Sequence, residues 1–133
     1  MSEVLSYLSE KQRESLSDLP FAVLLPAGLP SGWSVAGIDF DQHEEGASFA
    51  LKLVSGNKTC AFLTSNEGIG DAVPGFKQTT HKHPEYGAIK VEHEEDGSLL
   101  SDWIEVENGW SAIGGNGLDQ DDLDQLIPQL VCY

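Results

Sequence analysis

Tyr86 to Gly115, YGAIKVEHEEDGSLLSDWIEVENGWSAIGG, is the stretch whose reading decides the fold. It reads as three strands joined by two tight turns. Asp96-Gly97 and Asn108-Gly109 are the dipeptides that best fill the two-residue primed turns of hairpins, where both central residues need φ > 0. With Asp96-Gly97 as the loop, Glu95 faces Ser98, His93 faces Leu100, Val91 faces Asp102 and Ile89 faces Ile104. With Asn108-Gly109 as the loop, Glu107 faces Trp110, Val106 faces Ser111 and Ile104 faces Ile113. Side chains alternate between faces with period two, so a slip of one residue inverts every position. The two registers are derived separately and agree in placing Ile89, Val91, Leu100, Ile104, Val106 and Ile113 on one face.

The other face carries Lys90 opposite Trp103, then Glu92, Glu94, Glu105, Glu107, Trp110 and Ala112. A lysine over an exposed indole is a cation–π pair worth roughly 0.5–1 kcal/mol. Two tryptophans on a wet face mean either a covering helix or a binding surface. The candidate binding surface is Trp103, Trp110, Lys90, Glu92 and Glu105. On the apolar face the register makes His93 and Asp102 diagonal neighbours. A buried carboxylate needs a partner, so these two are expected to form a structural polar pair. A His–Asp pair is also half of a catalytic apparatus, but no nucleophile motif such as GxSxG accompanies it.

The rest of the chain is read outward from this meander. Ser2 to Asp18 has the thin apolar stripe Leu5, Leu8, Leu16 and Leu19 of a surface helix, which Pro20 stops. Phe21 to Leu25 reads as a short strand, limited by Pro26 to an edge or an end. Trp33 to Asp41 and Ala47 to Val54 alternate as strands. Gly56-Asn57 then turns the chain so that Leu53 pairs with Cys60 and Leu51 with Phe62. Asn66 to Pro84 is the least legible stretch, a long loop in which Phe76 to Lys82 forms a short strand. Leu118 to Tyr133 reads as a terminal helix capped by Asp119, with an apolar stripe of Leu123, Leu126, Ile127, Leu130 and Val131. Pro128 bends that helix or resets its last turn. The expected fold is α+β, one domain over residues 1–133. It is a twisted antiparallel meander of six or seven strands, with an N-terminal helix and a C-terminal helix packed on the sheet.

Composition narrows the function. The chain has 133 residues, 40% of them hydrophobic, and no apolar run near the ~20 residues of a membrane span. Lys plus Arg number 7 against 22 Asp plus Glu, a formal net charge of −15. Phosphate backbones and anionic membranes are bound through Lys and Arg, so neither nucleic acid nor membrane is an expected partner. The acid excess serves solvation or steers a basic protein partner. The start MSEVLSYLSEKQRES has neither the basic beginning nor the apolar core of a signal peptide, which points to the cytoplasm. Cys60 and Cys132 lack metal or redox spacing, and Cys60 falls on the apolar side of its strand as a packing residue.

Two segments, FAVLLPAGLPSGW and SDWIEVENGWSAIGGNGLDQDDLDQLIPQL, carry a family resemblance. They are similar to uncharacterised bacterial domains found in anti-sigma-factor and sporulation-associated proteins, whose curved antiparallel sheet looks like that of lipoprotein carriers. The resemblance implies the fold and supplies no catalytic residues; the membrane segment and lipobox of that pattern are absent from this sequence.

Other chemistry is thinner. His81 and His83 share a face of any strand they lie on, and with His93 they are the candidate metal ligands; the plainer reading leaves His81 and His83 exposed in a loop. Their spacing matches no known zinc signature. The glycines at Gly68, Gly70 and Gly114 to Gly117 lack the context of a phosphate-binding loop. No cofactor is expected. The sequence therefore favours a non-catalytic protein-interaction module, regulatory or inhibitory, such as a small acidic inhibitor of a basic protein. The alternatives are a small-molecule or lipid binder on the concave sheet face with Asn66 to Pro84 as a lid, and a metal-dependent hydrolase built on His81, His83 and His93.

Overall fold

In the computed structural model, residues 9–28, 32–43, 46–66 and 76–132 are described. Helix α1 runs Glu10–Ser17, opened by a capping box in which Ser9 and Gln12 each satisfy the other's backbone amide. Ten strands follow or flank it: β1 Leu24–Pro26, β2 Ser34–His43, β3 Gly46–Ser55, β4 Lys58–Ser65, β5 Lys77–His83, β6 Gly87–His93, β7 Ser98–Ser101, β8 Ile104–Val106, β9 Gly109–Asn116 and β10 Leu130–Cys132. Helix α2, Gln120–Leu126, lies between β9 and β10 and passes into one 3-10 turn, Ile127–Gln129. The expected beginning of the first helix at Ser2 and residues 67–75 of the expected lid lie outside the described residues.

All strand pairs are antiparallel. The large sheet has the order β2-β3-β4-β9-β7-β6-β5, with β8 also on β9, and β1 pairs with β10 in a second, two-stranded sheet. The α+β antiparallel class is thus as the sequence implied, with more strands than the six or seven expected. The β3–β4 hairpin keeps the register read from Gly56-Asn57, with Leu53 opposite Cys60 and Leu51 opposite Phe62. Cys60 is fully buried, and burial pushes its thiol up to about 12, so it is a packing residue and no nucleophile.

Both turns of the anchoring meander shift from the expected register. Around Asp96 the loop has three residues: Glu94 N–H donates to the Ser98 carbonyl at 2.8 Å, and Gly97, at φ +91°, donates to the Glu94 carbonyl at 3.1 Å. The Asp96 carboxylate accepts from the Ser98 amide at 2.9 Å, a side-chain turn that competes with the two-residue form. His93 therefore faces Leu99 and Val91 faces Ser101, one residue from expectation. At the second turn Val106 pairs with Gly109, and Asn108 alone takes positive φ, at +64°. Only a glycine fits the ladder there without a shift, since a Cβ on Gly109 would lie 3.0 Å from the Ser65 carbonyl oxygen and 3.1 Å from Phe21. That slip is of two residues and leaves faces unchanged.

A β-bulge reconciles the two slips. Leu100 sits opposite Gly114 and Ile104 opposite Ser111, so Ser101, Asp102 and Trp103 span the same length as Ala112 and Ile113. The unpaired Ile113 amide donates instead to Ser101 Oγ at 2.8 Å. The result corrects one expected core residue: Leu99 is buried and Leu100 is exposed, whereas Ile89, Val91, Ile104, Val106 and Ile113 are buried as read.

The apolar face of the large sheet is closed by the C-terminal segment. Leu123, Leu126, Ile127 and Leu130 are fully buried, each worth about 1.5–3 kcal/mol in removed apolar surface. The expected long terminal helix is shorter than read. Pro128, without an amide hydrogen, sits in the 3-10 turn, and the chain leaves it extended as β10 against β1, with Leu24 opposite Cys132 and Pro26 opposite Leu130. Asp119 caps α2 as expected, accepting from the Asp122 amide at 2.9 Å, and Lys58 Nζ holds Asp122 at 2.8 Å, tying α2 to the β3–β4 turn.

Gly115 and Gly37 make the tightness of β9 testable. A Cβ on Gly115 would collide with the Thr59 carbonyl oxygen and meet Leu118 at 2.9 Å, whereas one on Gly37 meets nothing within 4 Å. Gly115→Ala is expected to cost roughly 1–3 kcal/mol, the usual overpacking range, and Gly37→Ala to stay within about 0.5 kcal/mol of the parent. Urea melts of the two variants compare them directly.

Candidate functional site

Two places combine polar chemistry with an unusual setting. The first is the outer face of the large sheet, opposite the C-terminal segment. Cross-strand register puts Trp110 beside Glu105 and Ser65, Ala112 beside Leu63, and Gly114 beside Ala61 and Leu100; Leu100 in turn faces Glu92. Trp110 and Leu100 are each 37% exposed, among the few large apolar side chains that are. Between them Ala112 and Gly114 are buried, and the Leu100 side chain reaches to 3.8 Å of where a Gly114 Cβ would stand. Glu105 is exposed and Glu92 half-buried, with Asp39 and Asp41 exposed along β2. Lys52 bonds Asp39 at 2.8 Å, with both groups well exposed, a pair that adds little stability.

Of the residues expected on this surface, the structure puts Trp110, Glu105, Glu92 and Lys90 on the outer side of their strands. Trp103 is half-buried in the bulge. The Lys90–Trp103 stack is corrected by the one-residue slip. The Asp102 amide donates to the Lys90 carbonyl at 2.8 Å, and ring contacts among the described residues join Phe40 to Phe49 and His83 to Tyr86.

The second place is a buried polar chain under α2. β5 alternates so that Thr79, His81 and His83 point into the core while Gln78, Thr80 and Lys82 are exposed. His81 and His83 are therefore buried strand residues, not exposed loop histidines. His81 Nδ1 meets Asp124 Oδ1 of α2 at 2.7 Å, and its Nε2 meets Thr79 Oγ1 at 2.8 Å. The same hydroxyl meets His93 Nε2 at 2.8 Å. His83 is committed elsewhere. Its Nε2 donates to the Leu130 carbonyl at 2.7 Å, while its Nδ1 accepts the amides of Glu85 and Tyr86 at 3.0 and 3.2 Å.

These bonds overturn two sequence readings. His93 is paired with Thr79, and the expected His93–Asp102 pair is not formed. The one-residue slip moves Asp102 to the bulge, where its backbone pairs with Lys90 and its side chain is half-buried. His81, His83 and His93 do not converge as a metal-dependent hydrolase requires, since His83 turns to β10 while the other two meet on a threonine. Among the described residues no group of three or more His, Cys, Asp or Glu could hold a metal ion. The face that a small-molecule binder would use is filled by Leu123, Leu126, Ile127 and Leu130. The shared face of His81 and His83 was legible from their spacing; Asp124 and Thr79 as their partners were not, because helix and hairpin meet only in the folded chain.

Compared with protein-family models, curated proteins and solved structures, the chain matches none of them. Among the described residues no helix is long and apolar enough to cross a membrane.

Burial, with Lys77 and His81 nearby, holds His93 below the ordinary imidazole value of 6.5, and Glu92 opposes this only in part. The unfolded chain then takes up the proton first. Stability is full above about pH 6.5 and is lost as pH falls from there through the lower folded value. Thermal melts at several pH values should show that slope, and His93→Gln should flatten it. Thr79→Val, which strands two imidazole nitrogens, should cost roughly 1–3 kcal/mol. Asp102→Ala, with no such partner to strand, should cost under about 0.5 kcal/mol in the same urea melts.

Proposed function

We propose that the protein is a non-catalytic interaction module, regulatory or inhibitory, whose outer sheet face binds a basic protein. The observation that carries this is the pairing on that face: exposed Trp110 lies directly across from Glu105, and exposed Leu100 directly across from Glu92. An apolar surface flanked by carboxylates fits the side chains of arginine and lysine, whose aliphatic stems bury while their charged heads are neutralised. The net charge of −15 favours rapid, salt-sensitive encounter with a cationic surface and disfavours nucleic acid. The resemblance to domains of anti-sigma-factor and sporulation-associated proteins belongs to the same reading, as does a cytoplasmic setting, in which the buried Cys60 thiol stays reduced.

A capture experiment from the source cell tests this. The parent protein is expected to retain a basic partner at low salt and to lose much of it at high salt. Trp110→Ser and Leu100→Ser should each weaken capture at least about tenfold, a loss of about 1.4 kcal/mol in the range of a buried interface anchor. Capture unchanged in both variants, or no partner at either salt, overturns the proposal.

A further inference from the structure

The chain Asp124–His81–Thr79–His93 has a property that follows from counting its hydrogens. A carboxylate only accepts, so His81 Nδ1 carries hydrogen toward Asp124 at 2.7 Å. A neutral His81 then presents a bare Nε2, and the Thr79 hydroxyl donates to it at 2.8 Å. Thr79 has one hydrogen, so its oxygen accepts from His93, whose Nε2 must be protonated at the other 2.8 Å contact. If His81 gains a proton, both of its nitrogens donate. The Thr79 hydroxyl must then turn to His93, which carries its hydrogen on Nδ1. The tautomer of His93 thus reports the charge of His81. With both rings charged, two donors point at one hydroxyl whose own hydrogen has no acceptor.

We propose that Thr79 makes His81 and His93 a proton-counting switch, which holds one imidazolium but not two and opens at the His93–Thr79 bond when the second proton arrives. The surroundings set which end gives way. His81 is 1% exposed and held by Asp124, whose side chain is 52% exposed at the helix surface. His93 is less buried, stands opposite Lys77 on β5 and Leu99 on β7, and has Glu92 as its chain neighbour. Its nearby charges are therefore the Lys77 ammonium, the Glu92 carboxylate and His81 itself. Two cations bridged by one threonine repel, and only His93 has a path to water. Opening there loosens the β6–β7 corner, Val91 to Leu99, while α2 stays docked through His81 and Asp124. This inference is independent of what binds the outer face.

Nitrogen-15 NMR of the imidazoles, with amide hydrogen exchange on the intact protein, tests it from pH 8 to pH 4. The second imidazolium is expected to form only together with loss of the His93–Thr79 hydrogen bond. Before this second step the ring hydrogens should follow the linked pattern: Nδ1–H on His81 with Nε2–H on His93, or a charged His81 with Nδ1–H on His93. Across the second step, exchange at the β6–β7 corner, corrected for intrinsic pH dependence, should rise at least about tenfold more than in α2. His93→Gln keeps a donor for Thr79 and carries no titrating group, so it should abolish that rise. Both rings fully charged with corner exchange unchanged, or a His93 tautomer unrelated to the charge of His81, overturns the proposal. If His93→Gln fails to fold, the titration of the parent protein decides alone.

Discussion

The amide of Ile113 must find an acceptor in the middle of a sheet, and it finds the hydroxyl of Ser101. That bond closes the bulge at Ser101 to Trp103, which adds one residue to the strand running beside β9. Without it a choice would be forced: either Leu99 or the pair Ile104 and Val106 would face water, because alternation cannot bury all three on one unbroken strand. Ser101 is itself fully buried, and its hydroxyl donates in turn to the Asp102 carbonyl, so both the Ile113 amide and the Ser101 hydroxyl are partnered. The face assignments of β6, β7 and β8 all depend on this small local arrangement.

The C-terminal segment is held by polar and apolar forces together. Leu123, Leu126, Ile127 and Leu130 supply the burial, while His81 and His83 supply direction, one bonding α2 and the other the first residue of β10. Buried polar groups are costly when unmatched, which makes them poor at holding any but one alignment of helix on sheet. A purely apolar contact would tolerate sliding. Tyr86 packs on His83, its ring 5.0 Å away, and the β5–β6 turn is stapled to the same imidazole, so one histidine organises both the turn and the strand that crosses it.

The two faces of the large sheet therefore do different work. The inner face is consumed by folding, with helix, 3-10 turn and second sheet all seated on it. The outer face retains Trp110 and Leu100 among charged residues of both signs, each with a carboxylate directly across the ladder. Large apolar groups left exposed at such positions are more informative than apolar groups inside, and they are what the proposed interaction rests on.

Local chemistry in the sequence determined strands β2, β3 and β4, the Gly56-Asn57 hairpin with its register, the Asp119 cap and the burial of Cys60, because each depends on turn dihedrals or alternation within a few residues, whereas β10 reads as helix and β7 and β8 as one strand. It also located both turns of the Tyr86 to Gly115 meander, but not their loop lengths. The Asp96 side chain bonds the Ser98 amide, and Gly109 lies under Phe21, a residue far away in the chain. With these contacts one register stands a single residue from expectation and the other two, so the expected His93–Asp102 pair is not formed, Trp103 falls in the bulge and Trp110 stays on the outer side of its strand. Only tertiary structure could decide that His81 and His93 meet on Thr79 and that Asp124 closes the chain. Sequence spacing fixes which side chains share a face, whereas which element comes to lie over that face is settled by packing between distant segments.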